Sequence, residues 1–313
     1  MSIKIPQVSI VMATYNRAHL ISATLDSIIN QSFENWECLI IDDGGTDSTR
    51  EILQPYLNQD YRFQFHYRTS KHKKGLPGSR NMGIEMAKGK YLIFFDDDDI
   101  VHPDNLQICV DILSHKSYDF CRYDKLAFNE KFTPSLIENN PKYKMITVGK
   151  ENIEEMITGK LPFASCTVMW KRECFDNHKF NEELLYAEEW ECYSRILASG
   201  FTGVSIDAIL YFNRKHPTSN TGEFYSDNLV RRNSYVKAIK LVIRNLKEKG
   251  LLTEALKKYF IRLGFFLRNE LVVNYILTHS GYTKYLLLKY RLGFKFYPVL
   301  RPIFVLKSKL RKN

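Results

Sequence analysis

Apolar positions fall into two kinds of run along this chain. Short blocks rich in β-branched and aromatic residues occupy 8–13, 36–41, 63–67 and 91–95. Between them, apolar residues recur at helical spacing, as at Leu20, Ile21, Leu25, Ile28 and Ile29. The first kind predicts strands and the second helices over 18–30, 46–58, 79–88 and 103–114. Pro103 suits the start of the last of these. Residues 91–95, bounded by Gly89 and by Asp96-Asp97-Asp98-Asp99, have no polar break, the mark of a strand buried on both faces. Strands alternating with helices predict βαβ units around a largely parallel sheet. Farther on, the pattern predicts extended chain over 118–128, a polar loop over 134–149, a short helix over 150–158 and a strand over 163–170. A helix over 188–198, two short strands at 203–206 and 209–213, a loop over 214–222 and helices from 226 onwards complete the reading.

Charge divides the chain unevenly. Of the net +10, residues 231–313 carry 20 Lys/Arg against 3 Asp/Glu, and residues 1–230 carry 25 against 32. A basic tail on an acidic body points to an anionic partner, membrane or nucleic acid. The six cysteines form no C-x-x-C pair, which argues against zinc and suits a reducing compartment. The start, Met1-Ser2-Ile3-Lys4-Ile5-Pro6, lacks the apolar core of a secretion signal. No run of 18 apolar residues occurs, so no spanning helix is expected.

Chemistry gathers where strands end. In open α/β sheets, ligands bind beyond the carboxyl ends of the strands. The strand at 91–95 ends there in four adjacent carboxylates. They repel one another, and a hard divalent cation such as Mg²⁺ or Mn²⁺ would relieve the repulsion and reach phosphate oxygens. The alternative is a solvated acidic loop. The first strand ends in Thr14-Tyr15-Asn16-Arg17, where backbone donors at a helix start and a cation suit a diphosphate; a helix cap with an aromatic lid is the plainer reading. The second strand ends in Asp42-Asp43-Gly44-Gly45, whose glycines permit a close turn.

The ordered set 8–17, Asp42-Asp43-Gly44, Gly75 with Arg80-Asn81-Met82-Gly83 and Gly89-Lys90-Tyr91, Asp96 to Asp99 with Pro103, and Glu188-Glu189-Trp190-Glu191 resembles the family 2 glycosyltransferases of GT-A fold. The resemblance covers residues 5–222. It implies a GT-A α/β domain over 1–225, with a mostly parallel central sheet flanked by helices. Its nucleotide-sugar half would be about 1–103 and its acceptor half about 104–225, followed by a basic helical extension over 226–313. It implies inverting transfer of a sugar from a nucleoside-diphosphate sugar, with UDP favoured, to an acceptor hydroxyl of a saccharide or lipid-linked saccharide. Thr14, Tyr15, Asn16, Arg17, Asp43, Arg80, Asp96 and Asp97 become nucleotide-site residues. Asp98, with Asp96, becomes the ligand of Mn²⁺ or Mg²⁺, and Glu189 the general base, where the family more often has Asp. Asp97 and Asp99 stay open as outer acids or helix caps, and Asp42 as a loop cap. Arg80 either faces the phosphates or pairs with the acidic run. His216 either completes the metal or diphosphate site or is solvated.

Two rivals stand beside this reading. A sugar-nucleotide nucleotidyltransferase would have a Gly-rich phosphate loop after the first strand, and Thr-Tyr-Asn-Arg has none. A non-catalytic membrane- or nucleic-acid-binding protein would be expected to lose the acids, and all are present. A phosphatase-like D-x-D-x-T fails at Ile100. In the tail, Val236, Ile239, Val242, Ile243 and Leu246 recur at helical spacing among cations, either as core or as a membrane face. Beyond Lys284, aromatics, leucines and cations mix closely. Amphipathic basic helices with aromatics lie in membrane interfaces. The expectation is therefore peripheral attachment to the cytoplasmic face of the cell membrane through an anionic surface, without nucleic acid.

Overall fold

In the computed structural model, the structure describes residues 5–115, 117–129, 131–215 and 220–310. Three fully or almost fully buried strands form the centre: β1 (Val8–Thr14), β2 (Trp36–Asp42) and β4 (Tyr91–Phe94). They pair in parallel, β2 and β4 on either side of β1, with β3 (Phe63–Tyr67) outside β2. Only Phe63 of β3 is buried, as befits an edge strand. Between these strands run α1 (Ile21–Ile29), α2 (Thr49–Gln59) and α3 (Leu76–Met86). Gly83 lets α3 lie directly on β1: a Cβ there would stand 2.3 Å from Val11 Cγ1. That close approach lowers Arg80, one turn earlier, onto the end of the sheet.

The remaining strands are β5 (Ile100–Val101), β6 (Phe120–Asn129), β7 (Met145–Val148), β8 (Val168–Lys171) and β9 (Gly203–Lys215). The nine-stranded sheet runs β3-β2-β1-β4-β8-β6-β9-β5, with β7 also on β9. The expected mostly parallel arrangement holds from β3 to β4. Beyond it the sheet is mixed, because β8 runs antiparallel to both β4 and β6, while β6 and β9 are parallel. The two short strands expected at 203–206 and 209–213 are one strand. Its pairing with β6 is irregular between Arg122 and Lys125, which breaks the alternation that a sequence pattern relies on. The expected loop over 134–149 contains β7, whose Met145, Ile146 and Thr147 are exposed and so give no burial signal.

Helices α4 (Asn105–His115), α5 (Ile153–Thr158) and α6 (Glu188–Ala198) flank the sheet. Then come α7 (Asn220–Tyr225), which begins within the loop expected over 214–222 and runs past it, and α8 (Leu229–Glu248). The chain divides into two compact units, 1–238 and 239–313, the division falling within α8. Ile239, Val242, Ile243 and Leu246 of α8 are buried, so this stripe is core. The second unit continues with α9 (Glu254–Phe266), α10 (Glu270–His279) and α11 (Lys284–Leu310). Gly264 brings α9 and α10 together: a Cβ there would meet Val273 Cγ2 at 2.7 Å. Phe294 and Tyr297 of α11 lie edge-on to Phe265 of α9, while Tyr285, Leu288, Leu292 and Phe296 on another face are exposed. No helix among the described residues is long and apolar enough to cross a membrane. All six cysteines are buried and free.

Candidate active site

Strand order brings the polar ends of β1, β2 and β4 to one edge, and each end is fixed by local contacts. Thr14 closes β1, buried, with its carbonyl accepting from the Asp43 amide at 2.9 Å. Tyr15 is 46% exposed, with Lys74 Nζ 5.0 Å from its ring centroid. Asn16 turns in the left-handed region (φ 55°), and its side-chain oxygen accepts from the Thr46 and Asp47 amides at 2.7 and 3.2 Å. Its side-chain oxygen thus ties the first two loops together. Arg17 lies against the acidic run, 3.3 Å from Asp97 Oδ1 and 3.8 Å from Asp98 Oδ2. At the end of β2, Asp42 accepts from the Gly45 amide at 3.0 Å, the loop-capping role. Asp43 Oδ1 accepts from Arg68 Nε at 2.5 Å and from the Gly75 amide at 3.0 Å.

Arg80 is the joint of the site. It is 3% exposed, and its guanidinium donates to Glu188 Oε1 at 3.0 Å, to Asp96 Oδ1 at 3.1 Å and to Ser165 Oγ at 2.9 Å. Of its two sequence readings, this is the one in which it pairs with the acidic run. Burial works against its charge, but Asp96, Glu188 and Glu189 outweigh burial and keep it above its ordinary value. Arg80 thereby ties the end of β4 to the start of α6. The residue before that helix, Ala187, sits at φ 61°, a left-handed conformation that costs a side-chain-bearing residue about 1–2 kcal/mol. Glu188 is buried and Glu189 half-buried.

The carboxylates are crowded. Burial, then the Asp98 charge, pushes Asp97 up to about 7, and burial raises Asp96 and Asp99. Burial, then the Glu189 charge, pushes Glu188 up to about 8 against the pull of Arg80. Asp97 Oδ2 is buried without a hydrogen-bond partner among the described residues. Asp96, Asp99 and Cys166 bring their ligand atoms within 4.8 Å of one another. The Asp99 carboxylate also accepts from the Arg214 amide at 2.7 Å. The Cys166 thiol, raised by burial and 3.9 Å from Lys125 Nζ, is a poor ligand for a hard cation. The oxygen donors and their mutual repulsion fit Mg²⁺ or Mn²⁺. His216 lies outside the described residues.

Sequence reasoning passes over Arg68, Arg214 and Ser165. Arg68 directly follows β3, so the strand-end rule that finds Asp43 would find it too. Arg214 lies near the end of β9, and its Nε donates to the Asp98 carbonyl at 3.0 Å. Nothing in sequence marks Ser165, which meets Arg80 only through the fold.

Comparisons with known proteins give the family and the fold. An uncharacterized glycosyltransferase of Rickettsia conorii is 26% identical over 298 residues, 90% of this chain and 47% of its own. A glucosyltransferase of Escherichia coli, WfgD, named for UDP-Glc and α-D-GlcNAc-diphosphoundecaprenol, is 34% identical over 113 residues, 36% of this chain and 43% of its own. The chain spans about half the length of the first of these relatives. The crystal structure of S. aureus TarS residues 1–349 with UDP-GlcNAc shares the fold, with a TM-score of 0.66 at 19% identity over 83% of this chain and 73% of that one. The family model described as glycosyl transferase family 2 matches residues 9–176, more than half of the chain, and the protein belongs to that family.

Proposed function

We propose that the chain transfers a sugar from a UDP-sugar to the hydroxyl of a saccharide or lipid-linked saccharide, with inversion, in polysaccharide or glycolipid synthesis. The observation that carries the reading is the Arg80 bridge, which sets the strand-end acids beside Glu188 and Glu189. Donor and acceptor chemistry follow the relatives: WfgD is named for UDP-Glc and a diphosphoundecaprenol-linked sugar, and TarS holds UDP-GlcNAc. Thr14, Tyr15 and Asp43 face the nucleoside. Asn16 and Arg17 shape that loop, and Arg80 and Asp97 order the acids. Asp98 and Asp96 hold the divalent cation, with His216 as a further ligand. When bound, the cation supplies positive charge for the departing diphosphate.

In the reaction, the acceptor oxygen bonds to the anomeric carbon as the bond from that carbon to the diphosphate oxygen breaks. The acceptor proton passes to the Glu189 carboxylate, and the opposite-face attack inverts the centre. General-base help of this kind contributes ~10²–10⁴-fold. Glu188, held near neutral by burial, stays with Arg80 as the orienting acid. Attachment to an anionic membrane through the basic unit completes the proposal. It is supported by the uncovered apolar face of α11 beside Lys284, Lys289, Arg291 and Lys295, which are also exposed.

Transfer assays over a panel of nucleotide sugars test the reaction. Glu189→Gln should lower kcat at least ~10²-fold with donor affinity nearly unchanged. Loss on Glu188→Gln instead would move the base by one residue, and loss on neither would end the base assignment. In calorimetry with UDP, Asp98→Asn should remove the gain in affinity that Mn²⁺ gives. An unchanged gain would take Asp98 out of the cation site.

A further inference from the structure

The turn that launches Glu188 and Glu189 is held by residues far beyond the family-matched segment, which ends at 176. Ser234 of α8 is buried, at 7% exposure. Its hydroxyl accepts from the amides of Leu185 at 2.8 Å and Tyr186 at 2.9 Å, and donates to the Tyr186 carbonyl at 3.0 Å. A hydroxyl has one donor and two acceptor sites, so its whole capacity is spent on this turn. Arg231, three residues earlier on the same helix face, donates to the Leu185 carbonyl through one nitrogen and pairs with Glu223 at 2.8 Å through another. Immediately after these contacts comes Ala187 at φ 61°, followed by α6.

A left-handed alanine persists only where its surroundings impose it. Several of those surroundings are identifiable. On one side Arg80 holds Glu188. Farther back, Glu182 is fixed by the Lys73 amide at 2.7 Å and by Asn81 Nδ2 at 2.8 Å. Between these anchors, the backbone polar groups of Leu185 and Tyr186 that would otherwise compete for partners are taken up by Ser234 and Arg231.

We propose that Ser234 and Arg231 are positioning residues for the proton-accepting step: by fixing the backbone at 185–187, α8 sets where the Glu189 carboxylate stands relative to the donor. This rests on the assignment of Glu189 as base. It places the start of α8, outside the family's matched segment, within the working enzyme. Neither side chain touches the reacting atoms in this scheme. Their effect passes through the turn.

The test uses the full chain. Ser234→Ala should lower kcat at least about tenfold, since small misplacements of a catalytic group cost up to ~10²-fold. Donor affinity by calorimetry should stay within about twofold of wild type. The decisive readout is the double variant. If Ser234 acts through Glu189, adding Glu189→Gln to Ser234→Ala should cost much less than Glu189→Gln costs alone. Unchanged kcat in Ser234→Ala, or losses that multiply in full, would overturn the proposal. Should Ser234→Ala not fold, Arg231→Met, which removes the bond to the Leu185 carbonyl and the Glu223 pair, gives the same test. Wild-type kcat in Glu189→Gln would instead sink the base assignment, and the positioning role with it, whereas a large loss in Glu189→Gln beside an unchanged kcat in Ser234→Ala would sink the positioning role alone.

Discussion

The two compact units treat charge in opposite ways. In residues 1–238, charge is taken inside and matched. Arg80 stands between Asp96 and Glu188, Arg68 holds Asp43, and Arg17 lies against Asp97 and Asp98. In residues 239–313, 17 Lys/Arg face only 3 Asp/Glu, and Lys284, Lys289, Arg291 and Lys295 of α11 are exposed beside exposed Tyr285, Leu288, Leu292 and Phe296. Enclosed charges fix direction: they orient carboxylates to within hydrogen-bond geometry at one edge of a sheet. Surface charges beside exposed apolar groups are, on the proposed membrane reading, there for an outside partner. The first arrangement suits chemistry, the second an interface.

Arg80→Met breaks the first arrangement at its joint. It leaves Asp96 and Glu188 facing each other without the cation, and removing one partner of a buried pair costs roughly 3–5 kcal/mol. Glu188 is already near neutral and Asp96 is partly solvated, so a loss at the low end, about 3 kcal/mol in urea unfolding, is expected, with transfer falling to background. A loss below ~1 kcal/mol would mean that Arg80 is only a surface-grade pair and that the two ends of the site are held by something else.

What was legible beforehand follows the same division. β1, β2 and β4 are buried on both faces, so their apolar runs announce them, and the strand ends then deliver Thr14, Asp43 and Asp96 to Asp99 at one edge. Glu188 and Glu189 also stand where the pattern puts them, at the start of α6. Their contacts were not legible. Whether Arg80 meets phosphate or acid depends on how closely Gly83 lets α3 lie on β1, and the hold of Ser234 on the 185–187 turn joins residues nearly fifty positions apart. The tail misleads for another reason. Val242 and Leu246 share cations and helical spacing with Leu288 and Leu292, yet the first pair is core and the second exposed. Spacing names a face without naming what covers it.

Vesicle flotation sharpens the second half of the comparison. Full-length protein should float with anionic vesicles and be released by high salt, because each cation near such a surface contributes about 1 kcal/mol and that contribution is screened. Leu288→Ser with Leu292→Ser should weaken binding about tenfold, given ~1.5–3 kcal/mol for burying one leucine fully and only partial burial in an interface. Val242→Ser should instead lower stability, since Val242 is already inside. Equal flotation of wild type and the double leucine variant would leave the α11 face without a membrane role.

The most gradual effect concerns protons held in the first unit. Glu188 titrates at about 8 in the folded protein, raised by burial and by Glu189, against an ordinary 4.5. A raised carboxyl means that the folded state keeps a proton the unfolded chain has lost. Stability from this group is therefore full below about pH 4.5, declines as pH rises towards 8, and is flat above it. Asp97, raised to about 7, adds a decline in the same direction. Urea unfolding without divalent cation should thus show stability falling between about pH 5 and about pH 8, by no more than ~1.4 kcal/mol per pH unit for each proton. Glu188→Gln keeps a neutral, hydrogen-bonding side chain beside Arg80 and cannot ionise. Its stability should match wild type near pH 5 and exceed it increasingly towards pH 8, by no more than ~1.4 kcal/mol for each pH unit crossed, leaving the shallower decline due to Asp97. An unchanged slope in Glu188→Gln would show that Glu188 is ionised throughout, its charge held by Arg80. The orienting acid would then be an anion, and the repulsion it exerts on Glu189 would have to be counted in setting the base.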